Sequence, residues 1–156
     1  MTIRPATEAD LGTIEALIRG LAVYERLADH VVMNAELLRK GLFGEHPYAE
    51  VLIAEADAEP VGFALFFHSF STFVGRPGIY LEDLFVKPEH RGTGVGRALL
   101  KRLAEIAVER DCGRLEWAVL DWNESAIGFY KKLGARPNDD WTVFRLAGES
   151  LRNLAG

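Results

Sequence analysis

The sequence predicts an α/β fold of the α+β kind, a single domain over residues 1–156 in which a mixed sheet carries helices. Three observations predict it. Apolar, partly β-branched runs are interleaved with amphipathic stretches at helical spacing from one end of the chain to the other. With 156 residues, 49% of them hydrophobic, the chain is long enough for one well-packed core and short for two. In its middle a strand-like run, a glycine-rich turn, a helix and a second strand-like run follow one another. That is the order of a crossover joining parallel strands, placed within an otherwise meander-like sheet.

Each element has a local reason. Thr7 can cap a helix while Asp10, three residues on, reaches back or complements the helix dipole. Leu11, Ile14, Leu17, Ile18 and Leu21 then recur at helical spacing and define one buried face. A weaker helical pattern spans residues 34–42, and FGEHPYAE, with its glycine and proline, reads as a loop. The runs VLIAEA and VGFALFFHSF, joined by Asp57-Ala58-Glu59-Pro60, predict an antiparallel hairpin. Residues 71–78 form a loop and 79–86 a further strand. After the glycines, Leu99, Leu100, Leu103, Ile106 and Ala107 line one helix face and Lys101, Arg102, Glu105 and Glu109 the other. That helix ends near Asp111-Cys112-Gly113, where glycine suits a C-cap. A strand over 114–120, a helix over 123–133 and a last strand over 141–146 complete the order.

Composition narrows the function. No apolar run approaches the ~20 residues of a membrane span and the N-terminus lacks a signal-peptide layout, so a soluble, cytoplasmic protein is expected. The single cysteine, Cys112, allows no internal disulfide and no multi-cysteine metal site, and four scattered histidines lack metal-ligand spacing. A net charge of −5 argues against a nucleic-acid partner and suits a cationic one.

The segment RGTGVGRALL places Gly92, Gly94 and Gly96 ahead of a helix. Helix N-termini bind anions through unpaired N–H groups, and glycines let a phosphate touch the main chain, so the segment is a candidate pyrophosphate cradle. Arg97-Ala98 follows Gly96 where a P-loop needs Lys and Ser or Thr, and the spacing also fails the dinucleotide fingerprint. A flexible connection with a chance glycine excess is the alternative.

Arg91-Gly92-Thr93-Gly94-Val95-Gly96 resembles the Arg/Gln-x-x-Gly-x-Gly/Ala signature of the GNAT N-acetyltransferase superfamily. IRPATEAD, FGEHP, YLED, AVLDWN and FYKKLGA resemble its diamine acetyltransferase family, and AVLDWN with the C-terminal FRLAGESLRNLAG is most similar to the thialysine N-ε-acetyltransferase branch. The resemblance implies a GNAT fold with a centrally splayed sheet of six to seven strands and about four helices. It implies acetyl-CoA as co-substrate, with no metal, and a small cationic amine as acceptor. It places the pantetheine on the backbone of Leu84, Phe85 and Val86 and on Asn123, and the pyrophosphate on residues Arg91, Gly92, Thr93, Gly94, Val95 and Gly96. Asn123 is equally a helix N-cap by its place before Glu124-Ser125-Ala126.

An alkylammonium, with a pKa near ~10.4, must lose a proton before attacking a thioester, and the leaving thiolate must gain one. The resemblance assigns Glu82 as the base, through water, and Tyr130 as the acid beside the sulfur. By sequence alone Glu82 could be a rim charge and Tyr130 core packing. Alternation puts Glu82 and Asp83 on opposite faces unless the strand is bulged, and a bulge is what the family has there. Tyr24, Glu25 and Asp83 match positions lining the family's amine channel, although Glu25 alone reads as a solvated helix-end charge. Spermidine/spermine enzymes carry Asp-x-Trp where this chain has Ser71-Thr72-Phe73, which favours a small amino-acid-like amine such as thialysine. A polyamine acceptor and a non-catalytic acyl-CoA sensor are the alternatives. Cys112, without a partner histidine, is not expected to carry the acetyl group. The resemblance also implies a homodimer with C-terminal strand exchange.

Overall fold

One open sheet runs in sequence order: β1 (Thr2–Pro5), β2 (Glu50–Ala56), β3 (Glu59–Ser71), β4 (Arg76–Val86) and β5 (Leu115–Trp117). The first three pairings are antiparallel and the last, β4 with β5, is parallel. The computed structural model describes residues 1–156, which divide into two compact units, 1–118 and 119–156. The first holds the whole sheet with α1 (Leu11–Tyr24), α2 (Ala35–Phe43) and α3 (Val95–Glu109). The second holds α4 (Glu124–Lys132) and α5 (Gly148–Ala155).

In the first unit, β2 and β3 are buried on both faces and therefore read as near-continuous apolar runs. Ile14, Leu17, Leu21 and Leu42 from α1 and α2 pack on Val51, Ile53, Phe63 and Phe85. By alternation Leu52, Ala54, Ala64 and Phe66 point the other way, and all are buried. Six residues of α3, Leu99 and Leu103 among them, are also buried, and a fully buried leucine stabilises by about 2 kcal/mol. The β2–β3 link is tighter than the sequence suggests. Asp57 and Ala58 both adopt left-handed conformations, φ 51° and 65°, so a two-residue turn joins strands that begin at Glu59 rather than Val61.

Asp10 ties the N-terminus together. Its carboxylate accepts bonds from Arg4 Nη1 and Nη2, each 2.9 Å, and from the Thr7 N–H at 2.7 Å. The Arg4 guanidinium, followed by the Thr7 N–H, holds the Asp10 carboxyl well below the usual carboxylate range despite its burial. Thr7 and Asp10 thus act as a start signal, here for a 3-10 turn leading directly into α1.

The sheet has five strands rather than six or seven, and there are five α-helices rather than four. The expected strand over 141–146 is absent from the sheet. Residues 141–146 form no strand, and Trp141, Val143 and Phe144 are 77%, 89% and 92% exposed, so no packed face holds the segment extended. The expected strand over 114–120 shortens to three residues because β4 changes register at the next position. β1 was invisible to periodicity, being four residues long with an arginine and a proline. At the end of α3, Asp111 rather than Gly113 takes the left-handed position, φ 55°, with Cys112 donating to the Ala107 carbonyl. No helix is long and apolar enough to cross a membrane.

Candidate active site

β4 is bulged at Glu82. Leu65 faces Asp83 and Phe66 faces Leu81, so one residue of β4 is left over. The consequence can be followed face by face. Phe63, Leu65 and Phe67 alternate onto the α1 side of β3, and their partners Phe85, Asp83 and Tyr80 share that side. Glu82, two residues from Tyr80, joins them. The bulge thereby turns Glu82 and Asp83 onto one face, as the resemblance requires and simple alternation forbids.

Glu25 comes to the same place from the end of α1. The helix stops in a Schellman turn: Arg26 adopts φ 62°, its N–H bonds the Val23 carbonyl, and the Leu27 N–H bonds the Ala22 carbonyl. The three carboxylates sense one another. Asp83, half-buried, is raised to about 6, first by burial and then by the charges of Glu82 and Glu25. Glu25 is raised by burial and by Glu82. Burial, Glu82 and Glu116 raise the Tyr80 hydroxyl. A face so built attracts a cation and leaves part of its charge to be neutralised by it.

The other edge of β4 is open. Pairing with β5 covers Ile79, Tyr80 and Leu81 only. Lys87 donates to the Val61 carbonyl of β3, so alternation turns the N–H groups of Leu84 and Val86 away from β3, while Phe85 is 6% exposed among the core residues. The Val86 carbonyl on that edge accepts from Arg91 Nε at 3.0 Å. The Arg91 guanidinium also lies 4.5 Å from the centre of the Tyr24 ring and 5.5 Å from that of Phe85.

Beyond Arg91 the glycine loop enters α3. Gly92 and Gly94 have φ of 74° and 91°, conformations that side chains rarely adopt, and Gly94 is the N-cap. Gly96 has no such need, since an added Cβ would make only an ordinary 3.8 Å contact with Val86. The first helical bond runs from the Ala98 N–H to the Gly94 carbonyl, which leaves the N–H groups of Val95, Gly96 and Arg97 without helical acceptors. Thr93 braces the loop by donating its hydroxyl to the His90 carbonyl. The loop can hold an anion.

Asn123 and Tyr130 belong to the second unit. Asn123 caps α4, its side-chain oxygen accepting from the Ala126 N–H at 3.3 Å. Tyr130 lies in the second turn of α4, its ring centre 5.7 Å from that of Phe129. Cys112 is a free thiol at the far end of α3, roughly 22 Å along the helix from the glycine loop. No group of three or more His, Cys, Asp or Glu side chains is placed to hold a metal ion.

Residues 15–135 match the acetyltransferase (GNAT) family. The chain belongs to the GNAT acetyltransferase family. It is 47% identical to a thialysine N-ε-acetyltransferase of Bos taurus, over 99% of this chain and 96% of that one. An L-ornithine N5-acetyltransferase of Arabidopsis thaliana is 30% identical over 97% of this chain and 86% of its own. Among solved structures, an integron cassette protein from the mobile metagenome of V. cholerae superposes with a TM-score of 0.83 at 29% identity, covering 99% of this chain and 96% of that one. The protein is therefore an acyltransferase, and acetyl-CoA is the co-substrate of its family.

For this GNAT enzyme, sequence reading missed two residues on the carboxylate face, Tyr80 and Glu116. Tyr80 precedes Glu82 by two and pairs with Glu116 in parallel register. The i, i+2 spacing of Tyr80 and Glu82 was the available signal, whereas a lone glutamate in RLEWAVL gave none.

Asp83 makes stability depend on pH. Its proton is held up to about pH 6 in the folded protein against 3.8 for the ordinary group, so the folded form binds more protons in between. Stability therefore falls as pH rises through that window. Relative to the wild type, Asp83→Asn should gain on the order of 2 kcal/mol between about pH 4 and pH 7.5 in urea denaturation. Parallel profiles for the two proteins would refute the raised Asp83.

Proposed function

We propose that the protein transfers the acetyl group of acetyl-CoA to the distal primary amine of thialysine or a close lysine analogue. The observation that carries this reading is the bulge that gathers Glu82 and Asp83 beside the open edge of β4. The residues fit the coenzyme. Leu84 and the Val86 N–H offer edge groups to the pantetheine amides, and Asn123 adds a polar contact beside the cap it already makes. The Arg91–Gly96 loop, with the α3 N-terminus behind it, receives the pyrophosphate. Gly96, unconstrained by φ, then has a reason to lack a side chain: close approach of the ligand to the backbone.

The acceptor ammonium is drawn by Glu25, Glu82 and Asp83, with Tyr24 packing on its carbon chain. Glu82, exposed at the bulge, takes the ammonium proton through water. The freed amine nitrogen attacks the thioester carbonyl, the carbon–sulfur bond breaks, and Tyr130 gives its proton to the departing thiolate. An amide and free coenzyme A result. Direct transfer within a ternary complex follows from the lack of a partnered nucleophile, Cys112 being at the wrong end of α3. The Ser71-Thr72-Phe73 loop, without the carboxylate of spermidine/spermine enzymes, supports the amino-acid-like acceptor, as do relatives named for thialysine and L-ornithine. We further infer that residues 1–156 work as one catalytic domain and that the protein is a homodimer. The exposed apolar segment 141–146 supports the dimer, since a β-forming strand with no partner in its own chain fits a partner in a second copy.

Release of free coenzyme A from acetyl-CoA should be fastest with thialysine among matched thialysine, lysine, putrescine, spermidine and a lysine peptide. Preference for spermidine would overturn the amino-acid acceptor, and no turnover with any amine would overturn the reaction. Tyr130→Phe should lower kcat by about 10²-fold with acetyl-CoA affinity nearly unchanged, the loss typical of a general acid. Unchanged turnover would remove Tyr130 from the mechanism. Sedimentation should give twice the 17.3 kDa chain mass, and a monomer would exclude the exchanged strand.

A further inference from the structure

The carboxylate face continues past Glu82 toward the β3–β4 turn. Two residues back along β4 lie Tyr80 and its cross-strand partners, Glu116 and Phe67. Two further back lie Gly78 and Ser69, with Arg114 alongside. A Cβ on Gly78 would stand 2.7 Å from Ser69 Oγ and 3.7 Å from Arg114 Cβ, so glycine keeps the floor between them clear. Above it is a cavity of about 60 Å³ lined by Ser69, Ser71, Arg76, Arg114 and Glu116 among others. That is the room of about two water molecules, and so of one carboxylate group.

The charges around this cavity are differently committed. Arg76 is bonded to Asp111 at 3.0 Å. Arg114 and Glu116, on the same face two residues apart, make no ion pair or side-chain hydrogen bond. An unpaired cation and an unpaired anion on the strand face that also carries Glu82 and Asp83 complement a zwitterion.

We propose that Arg114 and Glu116 form the head-group subsite of an α-amino-acid acceptor, Arg114 binding the α-carboxylate and Glu116 the α-ammonium while the distal amine lies at Glu82 and Asp83. This rests on the amine-acetyltransferase reading above and names what its acceptor must carry at the other end. The dimensions agree. Successive same-face positions on a strand are about 6.6 Å apart, so Glu116 stands about one step from Glu82 and Arg114 about two, the second step being one that an arginine side chain reaches across. Five zigzag bonds of about 1.5 Å, from a lysine-length amine nitrogen to its α-carbon, span roughly 6 Å. A polyamine could use Glu116 but has nothing to offer Arg114, whose charge would repel its second ammonium.

The test compares thialysine with bis(2-aminoethyl) sulfide, the same chain without the carboxylate, on wild type, Arg114→Gln, Arg114→Lys and Glu116→Gln. Arg114→Gln should raise KM for thialysine about tenfold, with kcat within about twofold, and lower KM for the diamine, as expected for loss of one charge-assisted contact and of one repulsion. Arg114→Lys should recover part of the loss, and Glu116→Gln should raise KM for both acceptors. Arg114 is exposed, so matching thermal unfolding of the variants checks that folding is intact. If the wild type prefers thialysine and Arg114→Gln keeps that preference, the subsite is wrong and the parent reading stands. If the wild type acetylates the diamine but not thialysine, both fall.

Discussion

β4 is paired along its whole length on one edge and with β5 for only three residues on the other, and this asymmetry organises the molecule. The long ladder with β3 locks the strand into a core buried on both faces, so it cannot move to satisfy its second edge. The short ladder with β5 fixes where the two parallel strands stop running together. A bulge at that point is compatible with the β3 ladder because it adds one residue and restores pairing beyond it. The same added residue brings two carboxylates to one face and leaves the Leu84–Val86 edge facing outward. A backbone irregularity thus sets a carboxylate face beside an open strand edge.

The electrostatics show what that placement costs the folded chain. Several carboxylates of this protein are matched: Asp10 by Arg4, Glu50 by a bidentate Arg110, Glu109 by Arg102. At the bulge Glu25, Glu82 and Asp83 share a site without an arginine among them, and one responds by holding its proton near neutrality. Unmatched like charge in a fixed frame is a state that a nearby cation would relieve.

Much of this was legible in the chain. The helical spacing of Leu99, Leu103 and Ile106, the Thr7/Asp10 pair and the Arg91–Gly96 loop each have a local cause, so a local reading finds them. The bulge was legible only through resemblance, because the pattern YLED by itself describes a regular strand. The segment 141–146 misled for an instructive reason: alternation of Trp141, Val143 and Arg145 records that a strand is wanted without saying which edge receives it. Arg26 and Asp111 occupy left-handed helix ends where glycine is usual, so a search for glycine does not find them. Glu116 was silent because its meaning comes wholly from its neighbour across the sheet.

Arg91 joins the two sides of the site through a single side chain. Its Nε is fastened to the last carbonyl of β4, while its guanidinium plane rests over the ring of Tyr24 at the end of α1. The glycine loop and the helix end that carries Glu25 are accordingly tied through one side chain. One side chain therefore fixes the spacing between the end of β4 and the end of α1, a distance that neither backbone sets by itself.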